Sequence, residues 1–261
     1  EIIRSMMLGT DVIIIDPEME YKRLSDAVGG TYINVSLASQ SKINPFDLPR
    51  PVGQDVKVDD IIRSAVIVLK GLLRIMIGKP VGQKGRLDFT PEEDSMLDRA
   101  LIETYAKKDI TPTTKDLSTI EPPTLQDLQE ILSGMDGSDN LVARLHKYTE
   151  GTFSGLLNSS TTVEMDNQLV VFSVRDLEDE LRPVALYTII NYIWNVVRSK
   201  RKKRILVIDE AWWLMMHEDS AKFIFALVKR ARKYYLGVTT ITQDVNDFLR
   251  SQYGQAIVTN S

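Results

Sequence analysis

Cysteine is absent from the 261 residues. That excludes a disulfide framework, a thiolate metal site and a cysteine nucleophile. Histidine is nearly absent: His146 and His217 stand far apart and suggest no histidine-built metal site. No run of about 18 apolar residues occurs, so no stretch reads as a membrane-spanning helix. The most apolar segment, Ala65 to Ile77, is broken by Lys70 and Arg74. There is no basic excess either. Net charge is -4 and the pI about 5.4, so any nucleic-acid contact must be local. A G-x-x-x-x-G-K-[ST] phosphate loop is also missing. The loop Gly151-Thr152-Phe153-Ser154-Gly155 has two glycines but lacks a following Gly-Lys-Ser/Thr and reads as a connector. What remains is ordinary globular composition, 43% hydrophobic and 26% charged, enough for one large domain or two small ones.

The most informative stretch is Arg204-Ile205-Leu206-Val207-Ile208-Asp209-Glu210-Ala211. Four consecutive apolar residues, mostly β-branched, predict a strand buried on both faces, as in a parallel sheet covered by helices. Ligands of open α/β sheets bind outside the carboxyl ends of strands, where Asp209 and Glu210 fall. A buried strand ending in Asp-Glu is the Walker B pattern of P-loop ATPases. The first carboxylate holds Mg2+ against nucleotide phosphates, usually through water, and the second orients or deprotonates the attacking water. A strand ending in a solvated acidic turn has the same pattern.

Along the chain, Glu1 to Leu8 predicts a helix capped by Gly9. Asp11-Val12-Ile13-Ile14-Ile15-Asp16 is a second buried strand ending in a carboxylate, followed by a helix to Val28 and a strand from Thr31 to Val35. That order predicts an α/β core. Three prolines in the seven residues Pro45 to Pro51 break the rhythm and mark a boundary. Helical patterns follow: Val58 to Ile77, Pro91 to Lys107 behind the cap Thr90, Thr124 to Leu132, and Leu141 to Tyr148. The division is therefore 1–50 and 163–261 as the α/β core, with 51–162 as an all-α inserted subdomain. Strand pattern returns at Gln168 to Val174, and Arg182 to Val197 reads as a helix with Trp194 in the core. Six of the seven residues Arg198 to Arg204 are basic. They form either a solvated turn or a local site for DNA phosphates or anionic lipid heads. A helix from Asp219 to Tyr235 buries Ala221, Ile224, Phe225, Val228 and Ala231. Strands are expected at Gly237 to Thr242 and Ala256 to Asn260.

Four segments in order carry a resemblance: Val12-Ile13-Ile14-Ile15-Asp16-Pro17-Glu18-Met19-Glu20-Tyr21, Ile43-Asn44-Pro45-Phe46-Asp47, Leu206-Val207-Ile208-Asp209-Glu210-Ala211-Trp212, and Arg230-Ala231-Arg232-Lys233 leading to Thr242-Gln243-Asp244. The chain resembles the large ATPase of conjugative type IV secretion systems (TraC/TrbE type), in the HerA–FtsK branch of RecA-like P-loop motors. The resemblance implies a RecA-like, mostly parallel sheet covered by helices, with ATP and Mg2+ as cofactors. It implies a homo-oligomer, with a hexamer as the expected form, that works with other secretion components at the cytoplasmic face of the inner membrane to assemble channel and pilus. By motif position Asp209 is the metal and nucleotide aspartate and Glu210 the catalytic glutamate. Gln243 is placed to sense the γ-phosphate. Arg232 is an arginine finger for the next subunit's nucleotide, with Arg230 competing. The phosphate loop is expected in a longer parent chain, ending in Gly-Lys-Ser or Gly-Lys-Thr within about ten residues before Glu1. Two other readings stay open: a DNA translocase or coupling protein of the same superfamily, which would contact DNA, and a non-catalytic assembly scaffold.

Overall fold

The computed structural model describes residues 2–49, 57–81, 86–243 and 245–259. The chain divides into two compact units, Glu1–Ser41 with Val163–Ser261, and Lys42–Thr162. The first unit opens with α1 (Ile2–Met7), β1 (Asp11–Asp16), α2 (Lys22–Val28) and β2 (Thr31–Asn34). The second holds α3 (Val58–Ile77), β3 (Lys79–Val81), β4 (Arg86–Asp88), α4 (Pro91–Ala106), α5 (Leu125–Ser133), α6 (Asp139–Thr149) and the short α7 (Ser154–Leu157). The first unit resumes with β5 (Leu169–Ser173), α8 (Arg182–Ser199), β6 (Arg204–Ile208) and α9 (Trp212–Met215). It continues through α10 (Glu218–Ala231), a 3-10 turn (Arg232–Tyr234), β7 (Leu236–Thr240), α11 (Val245–Arg250) and α12 (Gln252–Thr259).

Five strands of the first unit form one sheet in the order β2-β5-β1-β6-β7. Every pairing is parallel, with Ile14 opposite Val171 on one side and Val207 on the other. Parallel strands need covered faces, which is why β1 reads Val-Ile-Ile-Ile without alternation and buries all six residues. On one face Val12, Ile14, Leu169, Val171 and Val207 form a cluster against Leu24, Val28 and Tyr32. α8 is buried nearly all round, and Phe172 meets Tyr192 of that helix edge-on at 6.3 Å. Among the described residues no helix is long and apolar enough to cross a membrane.

The segment Ala256 to Asn260 departs from expectation. It lies in a helix, α12, as far as Thr259, and Asn260 lies outside the described residues. Three apolar residues cannot distinguish a strand from a helix by period. The decision rests on Ser251, whose hydroxyl caps the Tyr253 N–H at 3.2 Å, and on Gly254. A Cβ at Gly254 would lie 2.0 Å from the Phe248 carbonyl oxygen, so only glycine lets α12 pack this closely on α11.

The second unit needs one amendment to the all-α expectation. β3 and β4 pair antiparallel, with Pro80 opposite Leu87. A proline is tolerated in a two-stranded ladder because both strands are edge strands. The helices obey their caps. Thr90 and Glu93 exchange hydrogen bonds at 3.2 and 3.1 Å to start α4, and Asp127 accepts the Thr124 N–H at 2.9 Å to start α5. The proline segment is packed as far as it is described. Ile43, Asn44, Pro45 and Phe46 are buried, and the Asn44 amide donates to the Pro123 carbonyl and accepts the Phe46 N–H. The Tyr105 hydroxyl donates to the Phe46 carbonyl at 3.0 Å and the two rings lie 5.8 Å apart. Arg50 and Pro51 lie outside the described residues.

Candidate functional site

The carboxyl ends of β1, β5, β6 and β7 meet at one edge of the sheet, and the acidic residues gather there. The Asp209 N–H donates to the Ile15 carbonyl at 3.0 Å, extending the β1–β6 pairing one residue past the strand. This puts Asp209 beside Asp16. The two carboxylates do different work. Asp16 is fully buried and accepts the backbone N–H groups of Glu20 and Tyr21, both at 2.9 Å. It therefore holds the turn that leads into α2. Asp209 is 7% exposed and, among the described residues, accepts only the N–H of Glu210, at 3.0 Å. Burial pushes its carboxyl above the ordinary value; that N–H opposes the rise, while the charges of Glu20, Glu210 and Asp16 add to it.

Glu210 is 8% exposed and holds a left-handed backbone, φ +46°. For a residue other than glycine this costs of order 1–3 kcal/mol, and such strain clusters at functional sites. Its Oε2 accepts the Trp212 indole N–H at 2.8 Å. Behind Trp212, the Trp213 ring is stacked at 4.5 Å, and the Arg182 guanidinium lies 5.4 Å over Trp213. Arg182 in turn pairs with Glu18 at 3.3 Å and donates to the Leu177 and Arg175 carbonyls.

β7 is tied to the same edge. The Ile241 N–H donates to the Ile208 carbonyl at 2.8 Å, and the Ala211 N–H donates to the Ile241 carbonyl at 2.9 Å. Gln243, two residues on, is exposed at that edge, while Asp244 lies outside the described residues. Arg232 is elsewhere. α10 leads from the carboxyl edge back to the amino edge, where the Arg204 N–H meets the Tyr235 carbonyl at 3.0 Å. A five-residue strand spans about 17 Å, so neither Arg232 nor Arg230 approaches Asp209 of its own chain. Both arginines are exposed. The structure thus brings together Asp209, Glu210 and the approach to Gln243, and separates Arg232 from them.

The basic run before β6 is partly structural. Arg198 lies 5.6 Å from the Trp194 ring and donates to Asn195, Arg204 donates to the Lys200 carbonyl, and Lys202 pairs with Asp11 at 2.6 Å. Lys200, Arg201 and Lys203 are exposed. Gly151 is not part of a phosphate cradle, because its N–H closes α6 on the His146 carbonyl at 2.8 Å.

Among the described residues no group of three or more carboxylates and imidazoles is arranged to grip a metal ion directly. Mg2+ does not need one: it keeps several waters and binds through one or two carboxylates plus substrate phosphates. A crowded, buried Asp209, with only one oxygen engaged among the described residues, fits that ion, because a cation relieves the repulsion among Asp16, Glu20, Asp209 and Glu210.

A parallel sheet wrapped by helices, with paired carboxylates at the carboxyl end of one of its inner strands, defines a RecA-like α/β core of the P-loop class. Residues 130–261 match the TraG P-loop domain family, and the chain belongs to that family of type IV secretion ATPases. VirB4 of Thermoanaerobacter pseudethanolicus superposes with a TM-score of 0.84 at 30% identity, over 99% of this chain and 69% of that one. CagE, a type IV secretion system protein of Helicobacter pylori, is 24% identical over 232 residues, 85% of this chain. The chain spans 23% of the length of CagE. The coupling protein TrwB, in complex with ADP and Mg2+, shares the fold at a TM-score of 0.56 and 15% identity.

Proposed function

We propose that the whole protein hydrolyses ATP with Mg2+ to drive assembly of the channel and pilus of a type IV secretion system and transfer of its substrate. The observation that carries this reading is the consecutive pair Asp209 and Glu210 at the carboxyl end of β6, the second held in a left-handed backbone. Asp209 would hold Mg2+ through its water shell, and Gln243 would stand near the γ-phosphate. When bound, Mg2+ draws charge from the β- and γ-phosphates. Glu210 accepts the proton of the attacking water. The cradle for the phosphates would be a loop ending in Gly-Lys-Ser or Gly-Lys-Thr on the amino side of α1, where the helix N-terminus offers free N–H groups. The proposed place of work is the cytoplasmic face of the membrane, among other secretion components. The likeness to TrwB is one of fold and does not favour the coupling-protein reading.

The separation of Arg232 from Asp209 supports a role in trans. In a homo-oligomer, proposed to be a hexamer, Arg232 would reach the nucleotide of the next subunit. The Arg232→Ala protein is then expected to bind ATP normally and to lose hydrolysis that depends on oligomerisation. Mixing it with Glu210→Gln should restore part of the activity, at interfaces pairing an intact Glu210 with an intact Arg232. Mixed oligomers without any rescue would remove Arg232 from the site and leave Arg230 as the arginine to test.

A further inference from the structure

The Trp212–Glu210 contact has a consequence for water activation, given the hydrolytic role proposed above for Glu210. A glutamate has three side-chain torsions, and the last of them is broad. A general base must nevertheless present one oxygen at one place. Here Oε2 is engaged by the Trp212 N–H at 2.8 Å, and no other donor reaches the carboxylate among the described residues. One oxygen is held and Oε1 is left for water. The holding group is itself braced. Trp212 stacks on Trp213 with an interplanar angle of 25°, and Trp213 lies under Arg182, which is clasped to Glu18 on the β1–α2 turn. The brace therefore runs from the loops of β1 and β5 to the carboxylate at the end of β6.

We propose that Trp212 is a positioning residue for hydrolysis: its indole N–H fixes the Glu210 carboxylate so that the free oxygen faces the attacking water. In the step it serves, that oxygen takes one proton from the water. The water oxygen forms the new bond to the γ-phosphorus, and the bond to the bridging oxygen breaks, its electron pair leaving with ADP. Trp212 touches neither the water nor the nucleotide.

The test uses the full-length protein and ATP with Mg2+. Trp212→Phe keeps a stacked ring and removes the donor. A hydrogen bond to a charged group is strong enough that its loss should lower kcat about tenfold or more, with KM for ATP changed less than about twofold. Trp212→His restores a donor, because the imidazole overlays the pyrrole half of the indole and puts Nε2 where Nε1 was. It should recover part of kcat. The decisive reading is a double-mutant cycle: Trp212→Phe should have no further effect when Glu210 is already glutamine. Nucleotide affinity in each variant reports an intact fold. An unchanged kcat in Trp212→Phe, or an equal loss in both backgrounds, overturns the positioning role while leaving Glu210 in place. Near-normal turnover of Glu210→Gln alone overturns the role of Glu210 and this inference with it.

Discussion

Glutamine in place of Glu210 is expected to leave ATP binding intact and to cut hydrolysis about 100-fold or more. The substitution is nearly isosteric. A side-chain oxygen still accepts the Trp212 N–H, now held at 2.8 Å by a carboxylate oxygen. The left-handed backbone at φ +46° is a demand on the main chain, and glutamine meets it no worse than glutamate. What disappears is the capacity to take a proton from water at neutral pH. Removing one negative charge from the edge shared with Asp209 and Glu20 should, if anything, favour a polyphosphate there. Phosphate release and nucleotide titration on the full-length protein separate the two effects. A turnover within a few-fold of the unsubstituted protein would take Glu210 out of the chemistry.

The largest stability effect is expected in the other unit. Phe46→Ala should destabilise it by about 3–5 kcal/mol. Phe46 has no exposed surface, its ring lies against Tyr105, and its carbonyl receives the Tyr105 hydroxyl at 3.0 Å. The alanine variant loses the buried ring and leaves a cavity beside the buried tyrosine. Pro45 and Asn44 hold the main chain there, so the segment has little freedom to collapse into the gap. Phe46→Leu should cost much less, because it keeps most of the volume. Urea unfolding of both variants measures the difference. A loss below about 1 kcal/mol for Phe46→Ala would mean that this segment is not part of the core.

The strands that position the site are legible because parallel strands covered on both faces leave a continuous Val/Ile signature. β1 and β6 carry it, and the acidic residues at their carboxyl ends fall on the ligand edge of the sheet. α4 and α5 announce themselves through local pairs, Thr90 with Glu93 and Thr124 with Asp127, which form wherever the chain goes. What escaped the sequence depends on distant partners. Asp16 and Asp209 end similar strands, yet among the described residues the first serves two backbone N–H groups and the second only one. Arg198 and Arg204 look like members of a solvated basic run until Trp194, Asn195 and the Lys200 carbonyl take them up. α12 reads as a strand because its helical start lies in the Ser251 cap and its packing in the absent side chain of Gly254. Trp212 stood two residues from Glu210 in plain view, but a left-handed turn at Glu210 is needed to fold the indole back onto the carboxylate.

The central claim is that the Asp209–Glu210 edge belongs to a working ATPase. The most direct test is ATP hydrolysis by the full-length protein, with Mg2+ present or chelated and with DNA present or absent. Turnover is expected to require Mg2+ and to proceed without DNA. A folded, nucleotide-binding protein that hydrolyses nothing under any of these conditions would contradict the claim and favour an assembly scaffold, whereas hydrolysis seen only with DNA would favour a translocase.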